Sequence, residues 1–528
     1  MSEKLPSSSD IDVAKQSARG SLILFAGNFL ATAINAVAII IVARLLGPDG
    51  YGAYSLSLLA PGLLILFAGL GVSVAITRYS AYYSSIGKTD EAKRFTRSAI
   101  LFLLLFGVAL SALNYAFADF LSSALILRPG FTGYVQESSL YILGATLLST
   151  VTAAATGWNM MGLASASQVL QSVVKLAVGP GLILAGFGVS GAIDGHVLSF
   201  LVAGFAGIAV LYLVKLRRLP IRPWNLAAEL AEMIRFGFPA FAGLLISGLA
   251  SYYVAILLAA IASNTVFGFY QAASNFALPI ALVSTSVGGA LFPAFSILAG
   301  AGGDLKVAFG LSVKYISYLI VPIALFLVAS SPVLVPAFYG PSFSQASPYL
   351  QLLAIAYLPT AVGLGILPVF FNGAGKTRLS LYLYLVNSVL IVVAAPLLAL
   401  QLGLGVNGLI YALLVSNVGG LALGLALARR SLSASADLRS VVMILLSAAI
   451  SAAVVTFLPV LLSPPLTLLL QLAVFTACYL TLAPILRGID REDVGRLRLV
   501  LGGMKAIGAI SGWVLGYEMF IIERVGAK

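Results

Sequence analysis

Uninterrupted apolar runs of about twenty residues recur from end to end of this chain, "ILFAGNFLATAINAVAIIIVA" (23–43) being the first. At ~1.5 Å of rise per residue, such a run is long enough to cross the ~30 Å hydrocarbon core of a bilayer as a helix. Inside lipid no water is present to satisfy backbone polar groups, so only helices or closed barrels can span. Barrel strands alternate apolar and polar residues, whereas these runs are continuous, and helices follow. Of 528 residues 60% are hydrophobic and 9% charged, against roughly 25% charged in a soluble domain. The sequence is that of an all-α polytopic membrane protein. Fourteen spans are expected near 21–43, 53–77, 98–118, 139–160, 166–187, 191–214, 237–262, 267–291, 312–335, 350–371, 379–401, 406–428, 440–461 and 466–486.

The charges set an orientation. With the N-terminus inside, 27 of the 30 Lys and Arg fall in inner segments, leaving Arg44, Arg128 and Lys175 elsewhere. That bias predicts a multi-pass protein of the cytoplasmic membrane with both termini cytoplasmic. It also accounts for the net charge of +12 without nucleic acid, since the basic residues face anionic lipid. The first twenty residues are polar and the run after them is full length, so no cleavable signal peptide is expected. Cys478 stands alone, which excludes an internal disulfide. The longest hydrophilic stretch, 215–236, carries Leu226, Leu230, Met233 and Ile234 on one face and Glu229, Glu232 and Arg235 opposite. An amphipathic linker along the inner surface is expected. The segment 499–522 is apolar but interrupted by Lys505 and Glu518, and is expected to be an interfacial or lobe-packing helix.

The chain repeats itself at a spacing of six spans. "GFGVSGAI" (186–193) matches "GLGVNGLI" (403–410), "YGAYSLSLLAP" (51–61) resembles "FGFYQAASNFALP" (267–279), and "NMMG" (159–162) matches "NGAG" (372–375). Six is even, so the repeats are parallel. The expected organisation is a tail (1–20), an N-lobe of six helices (21–214), the linker (215–236), a C-lobe of six helices (237–428), two extra helices (440–486) and a C-terminal tail (487–528). The repeat also disposes of "NGAGKTR" (372–378) as a nucleotide-binding loop. Such a loop needs a Gly where Phe370 stands, and the matching turn of the first lobe lacks the Lys. The expected role is a tight helix–helix turn.

Several stretches together resemble the polysaccharide-exporter branch of the MOP (multidrug, oligosaccharidyl-lipid and polysaccharide) superfamily: "ARLLGPDGYGAYSLSLLAPGLL", "GVSVAITRYSAYYSSIGKTDEAKR", "IRFGFPAFAGLLISGLASYY", "VFGFYQAASNFALP", "FYGPSFSQASPYLQLLAI" and "FFNGAGKTR". The resemblance runs from about residue 20 to 490. It implies a flippase or exporter of lipid-linked oligosaccharides with an alternating-access cavity between two six-helix lobes. In the related lipid II flippases, Arg residues in the first two spans face this cavity and the extra helices form a groove for the lipid tail. Here those spans hold only Asn28 and Asn35 at depth, with Arg44 and Arg78 flanking, so lipid II itself is not the expected cargo.

Lys175 lies about nine residues, or roughly 14 Å, into the fifth span. A Lys at that depth costs on the order of 2.5–3.5 kcal/mol. Two readings fit: a cavity cation that meets the phosphate of a lipid carrier, or a side chain that snorkels to the inner leaflet beside Gln171 and Ser172. Arg44 and Arg78, at opposite span ends, are either further phosphate contacts or interfacial anchors. Lys314 and Arg378 read as inner anchors. Asn28, Asn35, Gln271, Asn275, Asn387, Tyr252 and Tyr253 are candidates for sugar contacts, each with interhelical bonding as its alternative. His196 and Asp194, at the outer start of the sixth span, read as a wet interfacial pair, with proton coupling as the alternative. Pro180, Pro239 and Pro279 mark helix breaks, either hinges or passive kinks.

No carboxylate lies deep in the expected spans, whereas an antiporter of cationic drugs should carry one. A cavity with a Lys and no acid suits an anionic cargo. The expected activity is therefore translocation of a lipid-(pyro)phosphate-linked glycan, with a multidrug antiporter of the same superfamily as the alternative. A membrane enzyme of glycan assembly is the third class, and no external loop is long or acidic enough for it. The expected partners are the lipid-linked glycan and membrane lipids. No ATP, nucleic acid, cofactor or metal is expected, and the protein is expected to be a monomer.

Overall fold

The computed structural model describes residues 8–217, 225–276, 278–300, 303–458, 463–502 and 507–526. Among them there is no strand, and eleven helical segments are long and apolar enough to cross a membrane. Two of the eleven are double length. Ile23–Ala68 bends at Gly47 (φ 69°), and Met161–Leu216 bends at Gly186 and Gly188 (φ 96° and 53°). The second holds two expected spans joined by a glycine turn, and the first holds one expected span and the start of the next.

The first stretch comprises α1 (Ser8–Ser57), α2 (Leu59–Ala68), α3 (Val72–Ser85) and α4 (Thr89–Ala116), followed by short α5 (Ala118–Phe120) and α6 (Thr132–Glu137). Then come α7 (Leu140–Gly157), α8 (Met161–Leu182), α9 (Gly188–Leu211) and α10 (Leu226–Ile261). The expected second span, 53–77, is therefore not one helix. It breaks at Leu70 and Gly71 (φ 42° and 83°), where the backbone of Gly237 comes so near that a Cβ on Gly71 would lie 2.4 Å from it. The linker also differs from expectation over its described part, because 226–236 forms the first turns of α10 and runs into the seventh span without a break. Glu229 is not on a wet face: it is 4% exposed, accepts from Ser98 and pairs with Arg94 at 2.6 Å. One turn on, Met233 packs with Val72, Tyr79 and Phe95.

The second stretch comprises α11 (Asn264–Asn275), α12 (Leu278–Gly300), α13 (Leu305–Tyr339), α14 (Ser347–Ala356), α15 (Leu367–Gly373), α16 (Thr377–Pro396), α17 (Gly405–Leu432), α18 (Leu438–Thr456), α19 (Pro464–Ile485), α20 (Arg491–Gly502) and α21 (Ile507–Gly526). The tenth expected span is split between α14 and α15 by a π-type turn at 360–364 containing Gly363 (φ 135°). Pro279 falls at the start of α12, while Pro180 and Pro239 sit inside α8 and α10.

By contacts the chain divides into two compact units, residues up to Gly268 and residues from Phe269 on. In the first, α1 packs along α8, α8 and α7 pack on α9, and α10 lies against α2, α3 and α4. In the second, α13 packs on α14, α18 and α19, α16 pairs with α17, and α21 lies on α19 and α20. Lipid offers no hydrophobic drive for helix pairing, so small residues that let backbones approach carry much of the contact. A Cβ on Gly195 of α9 would lie 2.3 Å from Cα of Gly179 on α8.

The internal repeat is written in the turns. Asn159 and Gly375 both adopt left-handed backbone (φ 55° and 73°). Around Asn159 the bonds run Trp158 to Ala154 (2.9 Å), Asn159 to Thr156 (3.1 Å) and Met160 to Ala155 (2.7 Å). Around Gly375 they run Ala374 to Phe370, Gly375 to Asn372 and Lys376 to Phe371, at the same three lengths. The register is therefore Asn159 to Gly375, three residues from the "NMMG"/"NGAG" alignment: the left-handed residue, not the leading Asn, is what the turn repeats. Gly186 and Gly188 likewise match Gly403 and Gly405 (φ 66° and 55°). In "NGAGKTR", Lys376 and Arg378 are exposed beyond a helix–helix turn.

Candidate functional site

Among the buried positions of α8, Ala164, Ser167, Gln171, Lys175 and Gly179 recur every three or four residues and form one stripe facing the other helices. Lys175 lies on this stripe, 7% exposed. Two contacts fix its level against α9. One turn to one side, Gln171 Nε2 donates to Ser199 Oγ (3.0 Å); one turn to the other, Gly179 meets Gly195. From α1, Asn35 Nδ2 donates to Gln171 Oε1 (3.2 Å) and to Ser172 Oγ (2.6 Å). The ammonium itself has neither an ion pair nor a hydrogen bond among the described residues.

His196 completes the cluster, and not as expected. It is 8% exposed, its Nδ1 lies 3.0 Å from the Tyr54 hydroxyl, and its ring packs edge-on to Tyr141 (4.6 Å between centroids). It makes no pair with Asp194. Nε2 is buried without a partner, and the ring lies within the field of the Lys175 ammonium. With Tyr54 donating to Nδ1, the proton of a neutral imidazole sits on Nε2. The Lys175 ammonium and the His196 Nε2 are thus both buried without a partner among the described residues, in one cluster of amides and hydroxyls.

The repeat register gives an internal control. Gln171–Ser199 corresponds to Asn387–Ser416, where Ser416 Oγ again bonds across to the amide side chain and to the Asn387 carbonyl (2.8 Å). Tyr54 and Tyr141 correspond to Tyr270 and Tyr357, again neighbours. Lys175 and His196 correspond to Ile391 and Leu413. The second repeat keeps the bonds that hold the helices and lacks the cation and the imidazole.

The other candidates are dispersed. Arg44 and Asn28 are exposed on α1. Arg78 is exposed on α3 with its guanidinium 4.0 Å over the Phe236 ring. Tyr252 is half-buried with its hydroxyl against Gly62, and Tyr253 and Gln271 are half-buried. Asn275 Nδ2 donates to Tyr339 (3.1 Å). Only Asn35 joins the Lys175 cluster. Lys314 is no surface anchor: it is buried and paired with Asp493 and with Asp490 (3.4 Å). Sequence reasoning also missed Tyr54 and Tyr141, for which the only sequence signal was their recurrence at the repeat spacing. Among the described residues no cluster of His, Cys, Asp and Glu could hold a metal ion.

The family model described as "Polysaccharide biosynthesis protein" matches residues 17–299, more than half of the chain. The chain belongs to this family. No curated protein matches it in sequence. Its fold is similar to that of the lipid II flippase MurJ in an inward closed conformation, with a TM-score of 0.72 at 17% identity over 88% of this chain and 98% of that one. It is also similar to an inward-facing multidrug resistance MATE family transporter of the MOP superfamily, with a TM-score of 0.64 at 19% identity over 76% and 94%. A third is a MOP superfamily transporter from Pyrococcus furiosus described as having a binding pocket of reverse polarity, with a TM-score of 0.56 at 20% identity over 79% and 96%. The fold is that of the MOP transporters, and the family assignment makes the chain a polytopic membrane protein of polysaccharide biosynthesis.

Proposed function

We propose that this protein is a flippase that carries a lipid-(pyro)phosphate-linked oligosaccharide or polysaccharide precursor from the inner to the outer leaflet of the cytoplasmic membrane by alternating access. The observation that carries the reading is Lys175, a buried cation with no counter-ion among the described residues, in one α8–α9 cluster with the unpaired Nε2 of His196. A buried ammonium is costly unless an anion meets it. A phosphate group supplies that charge and several acceptors, and its bonds to a cation are the strong ones. Asn35 and Gln171 hold the site's walls. Arg44 and Arg78 act as phosphate contacts at the two mouths, and Asn28, Gln271, Asn275, Asn387, Tyr252 and Tyr253 remain candidates for sugar contacts. The basic bias of the inner segments supports both termini lying in the cytoplasm.

The similarity to MATE transporters favours a second reading, a multidrug antiporter. Purified protein in sealed liposomes containing a fluorescent polyprenyl-pyrophosphate oligosaccharide separates the two. Faster crossing of the headgroup with a cationic dye unmoved supports the flippase, and Lys175→Ala should then slow it. Dye movement alone would replace it with the antiporter.

A further inference from the structure

The C-terminal helix α21 carries a carboxyl group where a membrane protein rarely keeps one. Trp513, Tyr517 and Phe520 point outward, whereas Glu518 points into the second unit and is 0% exposed. Its Oε1 accepts from the Tyr318 hydroxyl of α13, and its Oε2 is buried with no partner. The facing groups are few. From α19 comes Tyr479, whose own hydroxyl is committed to the Tyr318 carbonyl (2.9 Å). From α20, exposed Arg498 comes against Gly516, and on α21 Arg524 stacks over Phe520 at 4.4 Å, one turn or more beyond Glu518 beside Glu523. None forms a salt bridge with Glu518.

An ionised carboxylate in such a place lacks both water and a counter-charge, and the remedy with the lowest cost is a proton. Three or more acidic, His or Cys ligands for a metal are not assembled there among the described residues. We propose that Glu518 is a proton-binding site, and that α21 seats on α13 and α19 only while the carboxyl holds its proton. Release of that proton to solvent leaves a bare carboxylate among tyrosines and unseats the helix. α21 is thereby a proton-operated clasp on the second unit, distinct from the Lys175 cluster and independent of what the protein carries.

The test uses the full chain in lipid nanodiscs. Infrared difference spectra between wild type and Glu518→Gln should show a protonated-carboxyl stretch at neutral pH that disappears in alkali. Hydrogen exchange of residues 507–526, corrected for its intrinsic pH dependence, should lose protection by up to about tenfold per pH unit as pH rises toward that transition, and level off above it. Glu518→Gln, which keeps the shape without the charge, should hold its protection throughout. Should that variant not fold, Tyr318→Phe serves: without the hydroxyl that stabilises the anion, the transition should move to higher pH. Absence of the band at neutral pH would overturn the proposal, as would exchange in α21 that ignores the transition, or a transition that Tyr318→Phe leaves in place.

Discussion

Replacing Lys175 by Met keeps the length of the side chain and removes its charge, so stability and transport should move in opposite directions. A Lys at the centre of a span is unfavourable by about 2.5–3.5 kcal/mol, and this one has no ion pair among the described residues to offset it. Lys175→Met should therefore unfold at a higher temperature in detergent, by an amount worth up to about 3 kcal/mol. Transport should fall. A hydrogen bond to a charged group contributes about 1.5–3 kcal/mol, which is roughly 10- to 150-fold in affinity. Flipping of the pyrophosphate-linked glycan, measured below saturation in sealed liposomes, should slow by that factor, and Lys175→Arg should retain most of the rate. The reasoning is refuted if Lys175→Met flips the glycan at the wild-type rate, or loses stability as well as transport. Either result would make Lys175 a structural residue.

Asn387→Leu removes the α16–α17 fastener, and interhelical bonds of this kind contribute about 0.6–1.7 kcal/mol. Thermal unfolding should register a loss of that size. Gly375→Asn should be tolerated, because Asn159 already holds the equivalent turn, whereas Gly375→Val should cost about 1–2 kcal/mol through its left-handed backbone alone. Neither variant should alter nucleotide binding, read by equilibrium dialysis with ATP. Asp490 should make the seating of α20 acid-sensitive. Burial pushes its carboxyl upward, but the Asp493 backbone N–H (3.0 Å) and the Lys314 ammonium outweigh that and hold it below the ordinary carboxylate range. A depressed carboxyl stabilises the fold above its unfolded value and ceases to as pH falls through the folded one. Hydrogen exchange in 491–502 should thus rise below about pH 4, and Asp490→Asn should remove that pH dependence.

Lys175 was legible in the sequence because a cation inside an apolar run has no bland explanation of equal weight. The repeat was legible in its glycines, yet its register was not. "NMMG" and "NGAG" align by letter, while the chain repeats the left-handed position that Asn159 and Gly375 share. His196 was misread because nothing in a linear reading says which way the start of a helix points. Its partner Tyr54 is one of 22 tyrosines and lies 142 residues away. Lys314 was placed at the interface for the same reason and turned inward, whereas Glu518 turned inward on a helix that packs on α19 and α20, one of the two roles expected for 499–522.

Composition and the length of the apolar runs were enough to determine an all-helical membrane protein, since the bilayer admits no other way to satisfy the backbone of such segments. The charge bias was enough to predict an orientation. What only the tertiary structure decided is the rotation of each helix about its axis and the breaks at Gly71 and Gly363. Rotation is set by where small residues such as Gly179 and Gly195 let two backbones touch. Those contacts lie between residues distant in the chain, and through them Lys175 and His196 share one site while Ile391 and Leu413 of the second repeat offer no cation and no imidazole.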